Sequence, residues 1–275
     1  MKRLLLLLFV AACLPLWADT YSFSTGAPNG QMAVASRPGA GGNFEIEAAD
    51  DFVTTAQTHI TSATFYGLLT GAAPMIGDVN VEIYRVFPLD SNTVRTPNVP
   101  TRNNSPSDVA FASKDSGVAG LTFTTATVNS SFSVANSVQP GGVHVGTAGN
   151  GPLTGQEVLF TVTFTTPFDL PANHYFFVPQ VQVTGGEFYW LSGQRPLAGP
   201  GTTPFSPDLQ MWTRDAALDP DWLRVGTDIV GPPPIGGSAP TFNGAFSLNG
   251  ETVPEPASIV LLLSGLAGVW GRRRR

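Results

Sequence analysis

The sequence predicts an all-β fold: an antiparallel β-sandwich, jelly-roll-like, with an N-terminal signal helix and a C-terminal transmembrane helix. Apolar and polar side chains alternate at 79–84 and 158–164, the period-two pattern of half-buried strands. The 30 glycines and 24 prolines gather in turn signals such as Pro28-Asn29-Gly30 and Pro140-Gly141-Gly142. Many short strands joined by such turns favour a sandwich over a barrel.

The same alternation and the same turn signals place the individual strands along the chain. The predicted strands are 44–53, 60–69, 79–84, 121–128, 131–138, 158–164, 174–183, 187–191, 208–212, 222–229 and 242–248. A stretch rich in Pro, Asn, Ser and Thr at 93–107 predicts a long exposed loop, because the strand pattern resumes directly after it. The Pro/Gly-rich stretch 231–240 predicts a connector before the last strand.

The N-terminal residues have the pattern of an export signal. Lys2 and Arg3 precede an unbroken apolar run at 4–10, and Ala18 offers a small residue at the cleavage position. We expect a signal peptidase to remove 1–18 and leave Asp19 as the first residue. The alternative is a lipobox at Val10-Ala11-Ala12-Cys13, which would place a lipid on Cys13. Both alternatives export the chain.

The C-terminal residues combine a polar tripeptide, an apolar run and a basic cluster. Pro254-Glu255-Pro256 precedes the apolar run 257–270, and Arg272, Arg273, Arg274 and Arg275 follow it. A helix over 257–271 would rise only ~22 Å, against about 30 Å for a bilayer core. The arginines would stay cytoplasmic by the positive-inside rule. We therefore expect a short, temporary membrane helix, with a permanent tail anchor as the alternative.

These C-terminal residues resemble the PEP-CTERM sorting signal of bacterial exported proteins. The resemblance covers 253–275 and rests on the three parts in their order. It implies that an exosortase, a membrane-embedded cysteine protease-transpeptidase, recognises the chain as its substrate. It also implies delivery to the cell surface or into extracellular polysaccharide. The resemblance therefore makes this chain the substrate of an enzyme and not an enzyme itself.

Between the two ends, the composition predicts one soluble β domain that has no disulfide. Cys13, inside the signal, is the only cysteine of the chain. Eight basic and twenty acidic side chains lie between Asp19 and Glu255, so this part carries a net charge of −12. Nucleic acid binding needs a cationic surface and is excluded. We expect a signal peptide at 1–18, a β-sandwich domain at 19–249, a linker at 250–256 and a hydrophobic anchor with its basic cluster at 257–275.

The body also resembles a loosely defined β-sandwich module of exported proteins with this kind of tail. The resemblance spans about 44–191 and brings no catalytic residues with it. The residues that carry it are Ala49-Asp50-Asp51-Phe52, Ile60-Thr61-Ser62-Ala63, Tyr66-Gly67, Val81-Glu82-Ile83-Tyr84, Phe168-Asp169-Leu170-Pro171-Ala172, Tyr175 and Phe188-Tyr189-Trp190.

Catalytic patterns are sparse in the body. His59, His144 and His174 are far apart, and none has a second His or Cys at metal-ligand spacing. We expect His174 to be structural. Asp50 and Asp51 are adjacent and offer a carboxylate pair or a cation site, but we expect Asp50 to cap a turn and Asp51 to face solvent or bond the backbone.

Two further groups are candidate binding residues. Asp215, Asp219 and Asp221, with Asp208, offer oxygen ligands for calcium in an acidic loop, although their spacing does not match an EF-hand. The alternative is a solvated polar loop, and no cofactor is otherwise expected.

Trp190, Trp212 and Trp222 are candidates for stacking on sugar rings, and core packing explains them equally well. Trp190 and Tyr189 point to opposite sheet faces, so we expect at most one of them in the core and the other partly exposed unless a loop covers it.

Two functional hypotheses follow. The first is an exported, non-catalytic protein of the cell surface or extracellular matrix that is held in the membrane before processing and contacts extracellular polysaccharide. The second is a secreted hydrolase acting on polysaccharide through two carboxyl groups about 5–10 Å apart in a cleft. Its candidate carboxylates are Asp50, Asp51, Glu187 and the group between Asp208 and Asp221.

Overall fold

The structure, a computed structural model, describes residues 18–92, 104–141, 146–194, 209–215, 222–231 and 240–253. The predicted signal helix and C-terminal transmembrane helix therefore fall outside the described residues, apart from Ala18. None of the helical segments in the described ranges has the length and apolarity that crossing a bilayer requires.

The described part is built almost entirely from strands, which pair into two sheets. Its strands are β1 (Thr20–Ser24), β2 (Pro28–Ala35), β3 (Ile46–Thr54), β4 (Thr58–Thr70), β5 (Met75–Arg85), β6 (Ala112–Asp115), β7 (Leu121–Val134), β8 (Asn136–Val138), β9 (Leu153–Leu170), β10 (Asn173–Thr184), β11 (Glu187–Gly193), β12 (Trp212–Asp215), β13 (Leu223–Arg224), β14 (Asn243–Gly244) and β15 (Phe246–Thr252).

Strand β4 organises the first sheet. One of its edges pairs with β9, and β9 in turn pairs with β7. Its other edge pairs with β15 and then with β11. The sheet continues from β15 to β1 and from β11 to β2 and β8. All of these pairs are antiparallel except β2 with β8.

The second sheet has the order β13-β12-β3-β10-β5-β6. The alternation at 79–84 explains its two faces: Val79, Val81 and Ile83 enter the main core, whereas the residues between them face outward. The predicted strand at this position is confirmed and extended at both ends.

One apolar core joins the two sheets. Phe177 of the second sheet stacks on Phe246 of the first, with ring centroids 5.0 Å apart, and meets the edge of Trp190 at 6.0 Å. Phe23 and Phe52 make a further contact between the sheets at 6.3 Å. The described part is thus an all-β fold of two sheets that share a core, as a sandwich requires, and jelly-roll connectivity stays a prediction.

Three local expectations differ from the structure. The predicted strand 222–229 ends after β13, because Val225–Val230 form a π-helical turn that closes at Gly231 with φ 105°. Pro28-Asn29-Gly30 is not a free turn but the start of β2, where the Asn29 side chain accepts a hydrogen bond from Ser192. Of Trp190 and Tyr189 only Trp190 lies in the main core, as expected, but Tyr189 is not partly exposed, because a second apolar cluster that includes Leu68 and Leu191 covers its face of the sheet.

Candidate functional site

The outer face of the second sheet carries a dense group of polar side chains, which we call the carboxylate cluster: Glu45, Glu47 and Glu82. One carboxylate oxygen from each of the three lies within 4.8 Å of the others. Strand alternation places Glu47 on this face of β3 and Glu82 on this face of β5, and Glu45 precedes β3. Glu47 is buried, Glu82 is half-buried and Glu45 is exposed.

Glu47 lies at the centre of the hydrogen bonding. The Arg214 Nε of β12 donates to Glu47 Oε2 at 2.5 Å, and the Tyr84 hydroxyl lies 2.5 Å from Glu47 Oε1. Arg214 also donates to the Tyr84 hydroxyl at 3.2 Å and to the Asp108 carbonyl at 3.1 Å, and its guanidinium lies 4.5 Å from the centre of the Trp222 ring. Arg214 and Glu47 are directly opposite each other on the paired strands β12 and β3, so the ion pair reinforces that strand pairing.

Glu82 completes this network. Its Oε2 lies 2.9 Å from the Tyr84 hydroxyl, and Asn80 donates to its Oε1 at 3.2 Å. Burial, and then the negative charge of Glu47, raise the pKa of Glu82 to about 7. Because the Tyr84 hydroxyl has one proton and faces two carboxylates, a protonated Glu82 satisfies both contacts: Glu82 donates to Tyr84, and Tyr84 donates to Glu47.

The arrangement is chemically able to do two things. Three carboxylates at this separation are suitable oxygen ligands for a divalent cation, although exposed acidic groups often come together without one. A protonated carboxyl beside an ionised one is also the pairing that acid–base catalysis uses. Both oxygens of Glu47 are, however, already engaged by Tyr84 and Arg214, which favours a structural role.

The stability of the protein should depend on pH through Glu82. Its pKa is about 7 in the folded chain and ordinarily 4.5, so between these values the folded chain holds a proton that the unfolded chain has lost. Stability therefore falls as pH rises through this window, by on the order of 3 kcal/mol. We expect Glu82→Gln to remove most of this loss in urea unfolding at pH 5 and pH 8.

The matched control is the same substitution at exposed Glu251 on β15, which should leave the wild-type pH slope in place. If Glu82→Gln keeps the full wild-type slope, the titration belongs to another group.

The three candidate sugar-stacking residues lie in the interior. Trp190 and Trp212 are fully buried, and Trp222 is 3% exposed. A ring that stacks on a sugar must leave one face open to it, and these rings do not. Trp190 contacts Phe177 and Phe246 between the sheets, whereas Trp212 and Trp222 pack on the outer face of the second sheet. Core packing, the alternative interpretation from the sequence, is the one observed.

The adjacent carboxylates Asp50 and Asp51 are also buried. Asp50 faces the core and accepts a hydrogen bond from the Gly244 backbone N–H at 2.8 Å, so it links the two sheets. Asp51, on the other face of β3, accepts from the Leu209 N–H at 3.1 Å and contacts His174 Nε2 at 2.5 Å. Asp50 therefore binds a backbone N–H across the two sheets and does not cap a turn, whereas Asp51 bonds the backbone, the second of its two expected roles, and does not face solvent. His174 is engaged in a structural contact, as expected.

The remaining candidates divide between described and undescribed residues. Asp215 is buried at the end of β12, whereas Asp208, Asp219 and Asp221 lie outside the described residues, so the calcium loop stays a prediction. Glu187 forms an ion pair with Arg37. The sorting residues also lie outside the described part: Pro254, Glu255, Pro256, Arg272, Arg273, Arg274 and Arg275.

The C-terminal residues are similar to a known sorting motif. Residues 252–275 match the family model of the PEP-CTERM protein-sorting motif. No curated protein matches the chain. The match begins within β15 and covers the tripeptide, the apolar run and the four arginines. The chain therefore carries a PEP-CTERM protein-sorting motif and is an exported protein sorted through an exosortase.

Proposed function

We propose that this protein is a non-catalytic β cargo that acts at the cell surface or in the extracellular matrix, where its body contacts polysaccharide. The single observation that carries the proposal is the sorting motif at 252–275. A signal peptidase would release the N-terminus, the apolar run 257–270 would hold the chain in the membrane, and the exosortase would then cut near Pro256. The net charge of −12 between Asp19 and Glu255 keeps such a cargo soluble during export.

The non-catalytic part of the proposal is supported by the structural use of the carboxylates. Glu47 and Glu187 are paired with arginines, and Asp50 and Asp51 bind backbone N–H groups. Losing either partner of a buried pair is costly, so these groups are poorly suited to change charge during a reaction cycle. Calcium at Asp215, Asp219 and Asp221 stays a secondary proposal.

A polysaccharide hydrolase remains the second candidate, because burial and the neighbouring Glu47 raise the pKa of Glu82 to about 7, as a general acid requires. The nearest oxygens of the two carboxylates lie within 4.8 Å of each other, which is closer than the separation of about 5–10 Å that such a pair uses. The test is an assay of new reducing ends, in which the full chain is incubated with neutral and anionic polysaccharides at pH 5, 6 and 7. We expect no release above the buffer control. Release by the wild type that Glu82→Gln abolishes would contradict the non-catalytic assignment.

A further inference from the structure

The outer face of the first sheet carries an ordered array of hydroxyl groups, which we call the hydroxyl face. Two neighbouring rows cross the five strands β1, β15, β4, β9 and β7. Strand pairing defines the first row as Ser24, Ser247, Thr64, Thr161 and Thr124, and the second row as Ser22, Asn249, Ser62, Thr163 and Thr122. Nine of these ten side chains are hydroxyls, and the tenth is an amide.

The array faces outward as a unit. The row between the two contains Phe23, Leu248, Ala63 and Val162, which are buried in the core. Alternation along each strand therefore directs the hydroxyl rows away from the core. The four threonines on β7 and β9 are exposed, and Ser22 and Asn249 are exposed at the opposite side. The remaining four are half-buried between them.

The spacing of the array follows from sheet geometry. Side chains within a row lie ~4.8 Å apart, and the two rows lie about 6.7 Å apart along the strands. Each hydroxyl both donates and accepts, so the face presents a regular set of donors and acceptors. Ser247 and Ser24 already bond to each other at 2.7 Å, which leaves the β7 and β9 threonines as the open part of the face.

The charge of the hydroxyl face indicates which class of ligand it could bind. All ten residues of the hydroxyl face are uncharged, on a body with a net charge of −12. Among the described residues, acidic side chains lie at its border, where Asp169 contacts His59 at 2.6 Å and Glu251 lies opposite His59. A polyanion would be repelled by the body as a whole, and a polycation would find its partners elsewhere on the surface. The complementary partner is neutral, rich in hydroxyl groups and repetitive.

We propose that the hydroxyl face binds a neutral polysaccharide through hydrogen bonds from its two rows. This inference rests on the proposed function for the place where the polymer is met, and it adds the binding surface and the ligand class. Each hydrogen bond contributes little because it replaces one to water, so a single sugar should bind weakly. A long polymer meets the repeating array at several points at once and gains from multivalency.

Affinity electrophoresis tests this directly. The full chain is run in native gels with a polyoxyethylene detergent, which carries no sugar, and with hydroxyethyl cellulose, a galactomannan, a soluble β-1,3-glucan or alginate. We expect retardation by at least one neutral polymer and none by anionic alginate. Thr122→Val with Thr124→Val should weaken retardation about tenfold, the effect of losing two neutral hydrogen bonds.

The matched control uses the same strand and the same change on its other face. Thr125 and Thr127 are exposed on β7 but alternate with the hydroxyl face, so Thr125→Val with Thr127→Val should retain wild-type retardation. Thr161→Glu places a charge within the hydroxyl face and should abolish retardation by the neutral polymers. Near-UV circular dichroism confirms the fold of each variant.

The proposal is overturned if none of the three neutral polymers retards the wild type, if alginate retards it most, or if the two double variants behave alike. These outcomes are independent of export and processing, which cell fractionation measures separately.

Discussion

Replacing Arg214 with methionine is expected to lower the free energy of unfolding by about 3–5 kcal/mol, because it leaves a buried charge without its partner. Glu47 is 3% exposed, and the Arg214 Nε lies 2.5 Å from its Oε2. The variant also loses the contact of the guanidinium with the Trp222 ring. Urea unfolding followed by tryptophan fluorescence measures the change.

Two comparisons isolate the cause of that loss. Lys114→Met removes a cation whose ammonium donates a surface hydrogen bond to Thr166, and should cost less than about 1 kcal/mol. Adding Glu47→Gln to Arg214→Met removes the unpaired charge and should recover a substantial part of the lost stability. If Arg214→Met costs no more than Lys114→Met, the ion pair between Arg214 and Glu47 does not stabilise the fold.

Replacing Arg272–Arg275 together with glutamine is expected to abolish processing of the exported chain. The short apolar run depends on its basic flank to stay in the membrane, and each arginine near an anionic leaflet contributes about 1 kcal/mol. Losing four should therefore release unprocessed chain from the membrane. Fractionation of the producing cells, with detection by an antibody against the body, follows the processed and unprocessed forms.

The charge-preserving control is replacement of the same four residues with lysine. If the arginines act through charge and the positive-inside rule, lysine keeps the chain membrane-held and processed. If the exosortase reads the guanidinium groups themselves, both replacements block processing. Normal processing of the glutamine variant would show that the basic cluster is not part of the signal.

Local patterns predicted the β elements well where one strand face is apolar. At 79–84 the alternation correctly predicted both the strand and the residues that face the core, Val79, Val81 and Ile83. It could not show what covers an outer face, because that depends on distant segments. Tyr189 is buried for this reason, since a second apolar cluster lies over its side of the sheet.

The roles of the acidic residues could not be predicted either, because their partners also lie on distant segments. The partners of Asp50 and Asp51 on Gly244 and Leu209 lie 194 and 158 residues away in sequence. The carboxylate cluster had one local signal, the shared face of Asn80, Glu82 and Tyr84 within 79–84. Glu45 and Glu47 come close to Glu82 only because the strands are arranged in the order β3-β10-β5, and strand alternation does not predict that order.

The hydroxyl face shows the same division between local and long-range information. Each strand by itself shows only threonine or serine alternating with apolar residues, as on any solvated sheet face. The two rows appear only when the register places Thr64 between Ser247 and Thr161. An array of this kind is therefore a property of the fold and not of a sequence motif.

Intact-mass spectrometry of the protein recovered from the surface of the producing cells tests the central claim most directly. We expect a chain that begins at Asp19, ends near Pro256 and has lost all four terminal arginines. A recovered chain that still carries Met1 and Arg275 would contradict it, because a polypeptide whose two ends are intact has passed through neither processing step.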